Sequence, residues 1–180
     1  EQLNFSHTIL LTDREATQER IQDTLRNEIA QLVGPSDIFI LYFVGHGIGS
    51  DLGLPTLLAY DSSLENGQED GLELGRFVQD LNNWVHAGTM VIVTDAIHRS
   101  QLDGIYFYGP SAGQWSNLPK GTMVLSSSQP QSPAQDGAFG IVFAEALAGG
   151  ADKNRDALIT TGELYQYLLM RMSSGTQIPM

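Results

Sequence analysis

The chain has 180 residues, 42% of them apolar, and carries 21 acidic against 9 basic side chains for a net charge of −12. That length and apolar content suit one domain with a full core and argue against disorder. The acidic balance makes nucleic acid and anionic membranes poor partners, because both are held by Lys and Arg. Cysteine is absent, which removes disulfides, thiolate metal sites and thiol nucleophiles together.

No apolar run approaches the roughly 18 residues of a membrane span, and no charged-then-apolar leader opens the chain at Glu1-Gln2-Leu3-Asn4. Residues 8–12 (Thr-Ile-Leu-Leu-Thr) form a short β-type run. Over residues 14–32, Ile21, Leu25, Ile29 and Leu32 recur at helical spacing until Gly34-Pro35 stops the pattern. Residues 38–44 are continuously apolar, β-branched and aromatic, as in a central parallel strand buried on both faces. They run into Gly45-His46-Gly47. Residues 45–66 are loop-like, with a short strand expected over 57–60.

The spacing of Leu74, Phe77, Val78, Leu81 and Val85 predicts a helix over residues 72–84. Residues 90–94 form a second buried strand, which leads into Asp95-Ala96-Ile97-His98-Arg99-Ser100. Residues 104–119 set Tyr106, Phe107, Tyr108 and Trp115 among glycines and prolines, as in an ordered loop packed on itself or walling a cleft. A further strand is expected over 122–126, ending in Ser126-Ser127-Ser128, and helices over 139–148 and 162–172. This alternation of strand and helix predicts an α/β sandwich with a mainly parallel central sheet and helices on both faces. In such sheets the functional crevice lies beyond the carboxyl ends of the strands, so the three strand ends carrying His46, Asp95 and Ser126 should meet at one edge.

In this order the segments resemble the caspases, metacaspases and their bacterial relatives, the peptidase C14 family. Residues 39–47 (Phe-Ile-Leu-Tyr-Phe-Val-Gly-His-Gly) resemble its histidine block, and Leu57-Leu58-Ala59-Tyr60-Asp61 its Leu-Pro-Tyr-Asp turn. Residues 91–100 resemble the metacaspase nucleophile block, commonly Asp-Ala-Cys-His-Ser-Gly. Residues 124–129 resemble the Ser-Ala-Ser strand end, residues 139–148 the following helix, and Gln177-Ile178-Pro179 a short Gln-x-Pro element. Histidine and cysteine about 50 residues apart on neighbouring strand ends is the caspase layout. Position 97 lies 51 residues after His46. The resemblance implies a caspase-like three-layer sandwich formed by residues 1–180 as a single domain, with the family's opening strand and first helix upstream of residue 1. Asp rather than Gln before the nucleophile position favours the metacaspase-like branch.

The nucleophile block departs from the family at Ile97 for Cys, Arg99 for Ser and Ser100 for Gly. His46 stands where the family's base stands. Ile97 has no lone pair and no titratable proton, so no neighbour can activate it. Ser100 in place of glycine also puts the oxyanion-stabilising backbone in doubt. The expected function is therefore a catalytically inactive peptidase fold that binds a peptide or protein, or regulates an active paralogue by pairing. The alternatives are a hydrolase whose native nucleophile is changed or replaced, with Thr94 or Ser100 as the substitutes to consider, and a purely structural domain. The resemblance makes Asp95, with Ser126 and Ser128, the substrate-binding candidates. Asp95 would receive a basic side chain, or else is held by loop amides or by Arg99. A cationic peptide suits the charge of the chain, and a homodimer is compatible with the fold. His98 reads as a loop residue.

Residues 152–163 set Asp152, Asn154, Asp156 and Glu163 at positions 1, 3, 5 and 12 of a calcium-loop pattern. Ala157 occupies the sixth position, where the pattern needs glycine, and is expected to resist the left-handed turn. A capped helix connection is the favoured account, with no cofactor.

Overall fold

A computed structural model describes residues 5–48, 56–63, 70–98, 118–127 and 138–172. The fold is a three-layer α/β sandwich, built among the described residues on a five-stranded sheet. Its strands are β1 (Ile38–Ile48), β2 (Thr56–Leu58), β3 (Leu72–Glu73), β4 (Thr89–His98) and β5 (Thr122–Ser126), in the order β3-β2-β1-β4-β5. The two long ladders, β1 with β4 and β4 with β5, are parallel, whereas the short strands β2 and β3 add antiparallel.

One face of the sheet is covered by helices α1 and α2. Helix α1 begins at Gln18–Asp23, passes through a π-helical stretch at Thr24–Ile29 and closes at Ala30–Leu32. It starts where Thr17 accepts a hydrogen bond from the Arg20 amide, satisfying one of the unpaired donors of the first turn. Residues 14 and 15, expected in the helix, instead lie in a separate 3-10 turn (Asp13–Glu15). Helix α2 is Leu74–Trp84, with the Glu73 carboxylate accepting from the Gly75 and Arg76 amides. Its Leu74, Phe77, Val78 and Leu81 pack with Leu25 of α1 against Phe39, Met90 and Ile92 of the sheet. The other face carries α3 (Ala138–Glu145, continuing as a π-helical turn at Ala146–Gly150) and α4 (Thr161–Met172). There Phe139, Phe143, Leu164 and Leu168 pack against Val91, Val93 and Leu125. The odd and even residues of β4 thus divide between two cores, as the two-residue period of a strand requires.

Three sequence expectations are corrected. Residues 8–12 carry no strand pairing. A strand needs a neighbour for its backbone groups, and none of the described residues supplies one. The short strand expected over 57–60 is Thr56–Leu58. The strands expected to end at Val44 and Thr94 run on to Ile48 and His98, because the parallel ladder continues through His46↔Ile97 and Gly47↔His98 while β2 pairs His46 with Leu58 on the other side. Among the described residues no helix is long and apolar enough to cross a membrane.

Candidate functional site

The carboxyl ends of β1 and β4 bring His46 and position 97 directly opposite one another in the parallel ladder. Two residues back, Val44 faces Asp95 in the same register. His46 is exposed, as expected of a strand end that outruns the helices covering the sheet. Asp95 is buried, with 8% of its surface exposed, and its Oδ2 accepts a hydrogen bond of 3.0 Å from the Tyr42 hydroxyl. Burial, and then the charge and hydrogen bond of Asp95, raise the Tyr42 pKa well above its ordinary value of 10.0. Gly140 in α3 allows this arrangement. A Cβ there would stand 3.0 Å from the Tyr42 hydroxyl oxygen and 3.7 Å from Asp95 Oδ2.

Tyr42 is the residue that sequence reasoning passed over, taking it as one more member of an apolar strand. Its signal was available, since it is the only hydroxyl in residues 38–44. A hydroxyl within such a strand requires a buried partner.

Ser126 does not share a face with Asp95. In the β4–β5 register Ser126 pairs with Thr94, and its in-phase neighbour Val124 packs in the core under α1 and α2. Tyr42 and Val93, in phase with Asp95 in the β1–β4 ladder, pack in the core under α3 and α4. Ser126 Oγ is buried and has no hydrogen-bond partner among the described residues. Thr94, a candidate substitute nucleophile, is 1% exposed and donates its hydroxyl to the Leu125 carbonyl at 3.4 Å. A hydroxyl so placed meets neither substrate nor base. Arg99, Ser100, Ser128, Gln129, the aromatic residues Tyr106, Phe107, Tyr108 and Trp115, and the Gln177-Ile178-Pro179 element lie outside the described residues.

The calcium-like loop is held by its own hydrogen bonds. Asp152 accepts from the amides of Asp156 and Ala157, Asn154 from that of Asp156, and Asp156 from that of Leu158. Ala157, expected to resist the left-handed conformation, adopts it with φ 65°, as does Arg155 with φ 60°. The carboxylates of Asp152 and Asp156 enforce the turn by taking the amides that it presents. Glu163 accepts from the Thr160 amide and hydroxyl while donating its own amide to Thr160 Oγ1, a reciprocal cap on α4. Those bonds hold the Glu163 carboxyl below its ordinary pKa, the Thr160 amide contributing most. Among the described residues no group of three or more His, Asp or Glu side chains converges on a metal position.

No family model matches the chain, and no curated protein matches it. Among solved structures it is similar to protein GSU0716 from Geobacter sulfurreducens, with a TM-score of 0.61 and 16% sequence identity over 94% of this chain and 74% of that one. At that identity the likeness is one of fold.

Proposed function

We propose that this chain is a caspase- or metacaspase-like domain without peptidase activity, serving as a peptide- or protein-binding or regulatory module. The observation that carries the reading is the pairing of His46 with Ile97 across the parallel ladder. It sets the base position of the resembled family opposite an aliphatic residue at the nucleophile position. A histidine can take a proton only from a group that has one, and isoleucine offers none. The burial of Thr94 supports the same reading, since it removes one hydroxyl that might have substituted.

Asp95 enters this proposal as the carboxylate that would receive a basic side chain, its orientation fixed by the Tyr42 hydroxyl. The test is cleavage of reporter peptides carrying Arg, Lys or Asp at the scissile position. No turnover is expected from the native protein. Turnover that disappears in His46→Ala would reject the proposal. Ile97→Cys, treated with a thiol-reactive peptide inhibitor, should be labelled at position 97 if the family geometry is retained. A folded Ile97→Cys protein that resists the inhibitor while reacting with a small alkylating agent would argue against a peptide-binding cleft.

A further inference from the structure

A carboxylate spreads one charge over two oxygens, and the two oxygens of Asp95 stand in different surroundings. Oδ2 accepts the Tyr42 hydroxyl at 3.0 Å. It also lies against the first turn of α3, where a Cβ on Gly140 would come within 3.7 Å of Oδ2 and 3.0 Å of the phenol oxygen. Tyr42 is held where it is. Its ring packs on Phe143 at 5.5 Å between centroids, and Phe143 stacks with Phe139 at 6.0 Å. Both phenylalanines are buried under α3 and α4. Burial and the Asp95 charge raise the Tyr42 pKa, so at neutral pH the phenol keeps its proton and is always the donor.

Oδ1 is placed otherwise. Among the described residues no donor reaches it, and no Lys or Arg pairs with Asp95. A carboxylate this buried, with one neutral donor, is short of partners. A cation would complete it, and the geometry decides which kind. A guanidinium grips a carboxylate as a planar fork, with parallel N–H bonds to the two oxygens. An ammonium is a compact point charge, for which one oxygen suffices. Tyr42 and the backbone of α3 at Gly140 crowd Oδ2, so one prong of the fork has no place to go.

We infer that Tyr42 is a specificity-determining residue, and that Asp95 takes an ammonium group, as on a lysine side chain, in preference to a guanidinium. This rests on the reading of Asp95 as the carboxylate that receives a basic side chain, and it adds which basic side chain. Tyr42→Phe keeps the ring and frees Oδ2. It should convert a one-oxygen acceptor into one that a fork can hold.

The test uses two capped peptides that differ only in a central Lys or Arg. Each is titrated by calorimetry into the native chain, Tyr42→Phe and Asp95→Asn, with near-ultraviolet circular dichroism as the check on folding. The native protein should bind the Lys peptide about fivefold or more tighter than the Arg peptide. In Tyr42→Phe the ratio should move toward Arg by about tenfold, the worth of one charge-assisted hydrogen bond. Asp95→Asn keeps an acceptor for the phenol and should abolish the preference together with most of the binding. Native protein that binds the Arg peptide as well as the Lys peptide, or better, and loses that binding in Asp95→Asn would overturn the inference alone. So would a folded Tyr42→Phe protein with the native ratio. Binding of neither peptide, or binding indifferent to Asp95→Asn, would overturn the underlying reading of Asp95 as well. Should Tyr42→Phe fail to fold, the native ratio and its loss in Asp95→Asn decide the question.

Discussion

The hydroxyl of Tyr42 on β1 donates to Asp95 Oδ2 on β4 at 3.0 Å, tying the two central strands together behind their carboxyl ends. Each partner depends on the other. The phenol is the donor described for a buried carboxylate, and the carboxylate is the acceptor for a half-buried hydroxyl. Tyr42→Phe keeps the ring that packs against Phe143, at 5.5 Å between centroids, and removes only the donor. A buried acceptor deprived of a partner costs about 1–3 kcal/mol, so urea unfolding at neutral pH should show a loss of that order. An unchanged midpoint would mean that Asp95 is satisfied by other groups.

The same pair sets an alkaline limit. Burial and the Asp95 charge raise the Tyr42 pKa above 10.0, so the unfolded chain releases that proton at lower pH than the folded one. The stability tied to the protonated phenol is whole below pH 10.0 and is lost as pH rises from there toward the folded-state value. Thermal unfolding from neutral pH to above 10.0 should therefore show a decline that is shallower in Tyr42→Phe. Equal declines in the two proteins would show that the phenol is not responsible.

Gly140 is the third member of this arrangement. In a helix, Ala is ordinarily favoured over Gly by about 1 kcal/mol. At position 140 the added carbon would meet the Tyr42 hydroxyl at 3.0 Å, and that hydroxyl is held in place by Asp95. Gly140→Ala should thus destabilise the native protein, yet be neutral or stabilising once Tyr42 is Phe. A double-mutant cycle measures this directly, and strict additivity would exclude the contact.

Much of the architecture was legible because two periodicities are strong in this chain. The apolar runs at 38–44 and 90–94 read as strands, and Leu74, Phe77, Val78 and Leu81 as one side of a helix; burial on both faces holds for 90–94, whereas in 38–44 only Phe39 is buried and Ile38 and Val44 are exposed. The strand ends were harder to read. Gly45 and Gly47 suggest a loop, but the backbone stays in the sheet, Gly45 paired with β4 and Gly47 with both β4 and β2, a property of the neighbours and not of the glycines. Residues 8–12 fail in the opposite sense, with strand chemistry and no strand pairing among the described residues. Asp95 and Ser126 each follow an apolar run, and only the register reveals that they belong to opposite faces. Tyr42 went unnoticed because its partner lies 53 residues away.

Ala157 was misjudged for a different reason. An L-residue in the left-handed region costs about 1–2 kcal/mol, and that cost alone argued against the turn. The Asp152 and Asp156 carboxylates, each accepting loop amides, outweigh it. The strain at φ 65° remains stored there. Ala157→Gly should release it and raise stability by up to about 1 kcal/mol, because glycine's greater unfolded-state entropy takes back part of the gain. A melting temperature that falls would mean the turn is not left-handed in solution.

The reciprocal cap of Thr160 and Glu163 gives an acid-side counterpart. Bonds from the Thr160 amide and hydroxyl hold the Glu163 carboxyl below its ordinary value of 4.5. The folded state therefore prefers the ionised form, and the contribution is whole above pH 4.5. It is lost as pH falls through the folded-state value, where the carboxylate takes up a proton and no longer accepts both bonds. Thr160→Ala removes the hydroxyl from both halves of the cap and should cost about 1 kcal/mol at neutral pH. Glu163→Gln keeps an acceptor oxygen without the charge, so it should weaken the start of α4 at neutral pH and remove this part of the acid dependence. Amide exchange in the first turn of α4, followed from neutral pH to below 4.5, reads both effects. In the native protein protection there should fall with acidification, and in Glu163→Gln it should start lower and change less. Parallel profiles for the two proteins would place the acid sensitivity of this helix elsewhere.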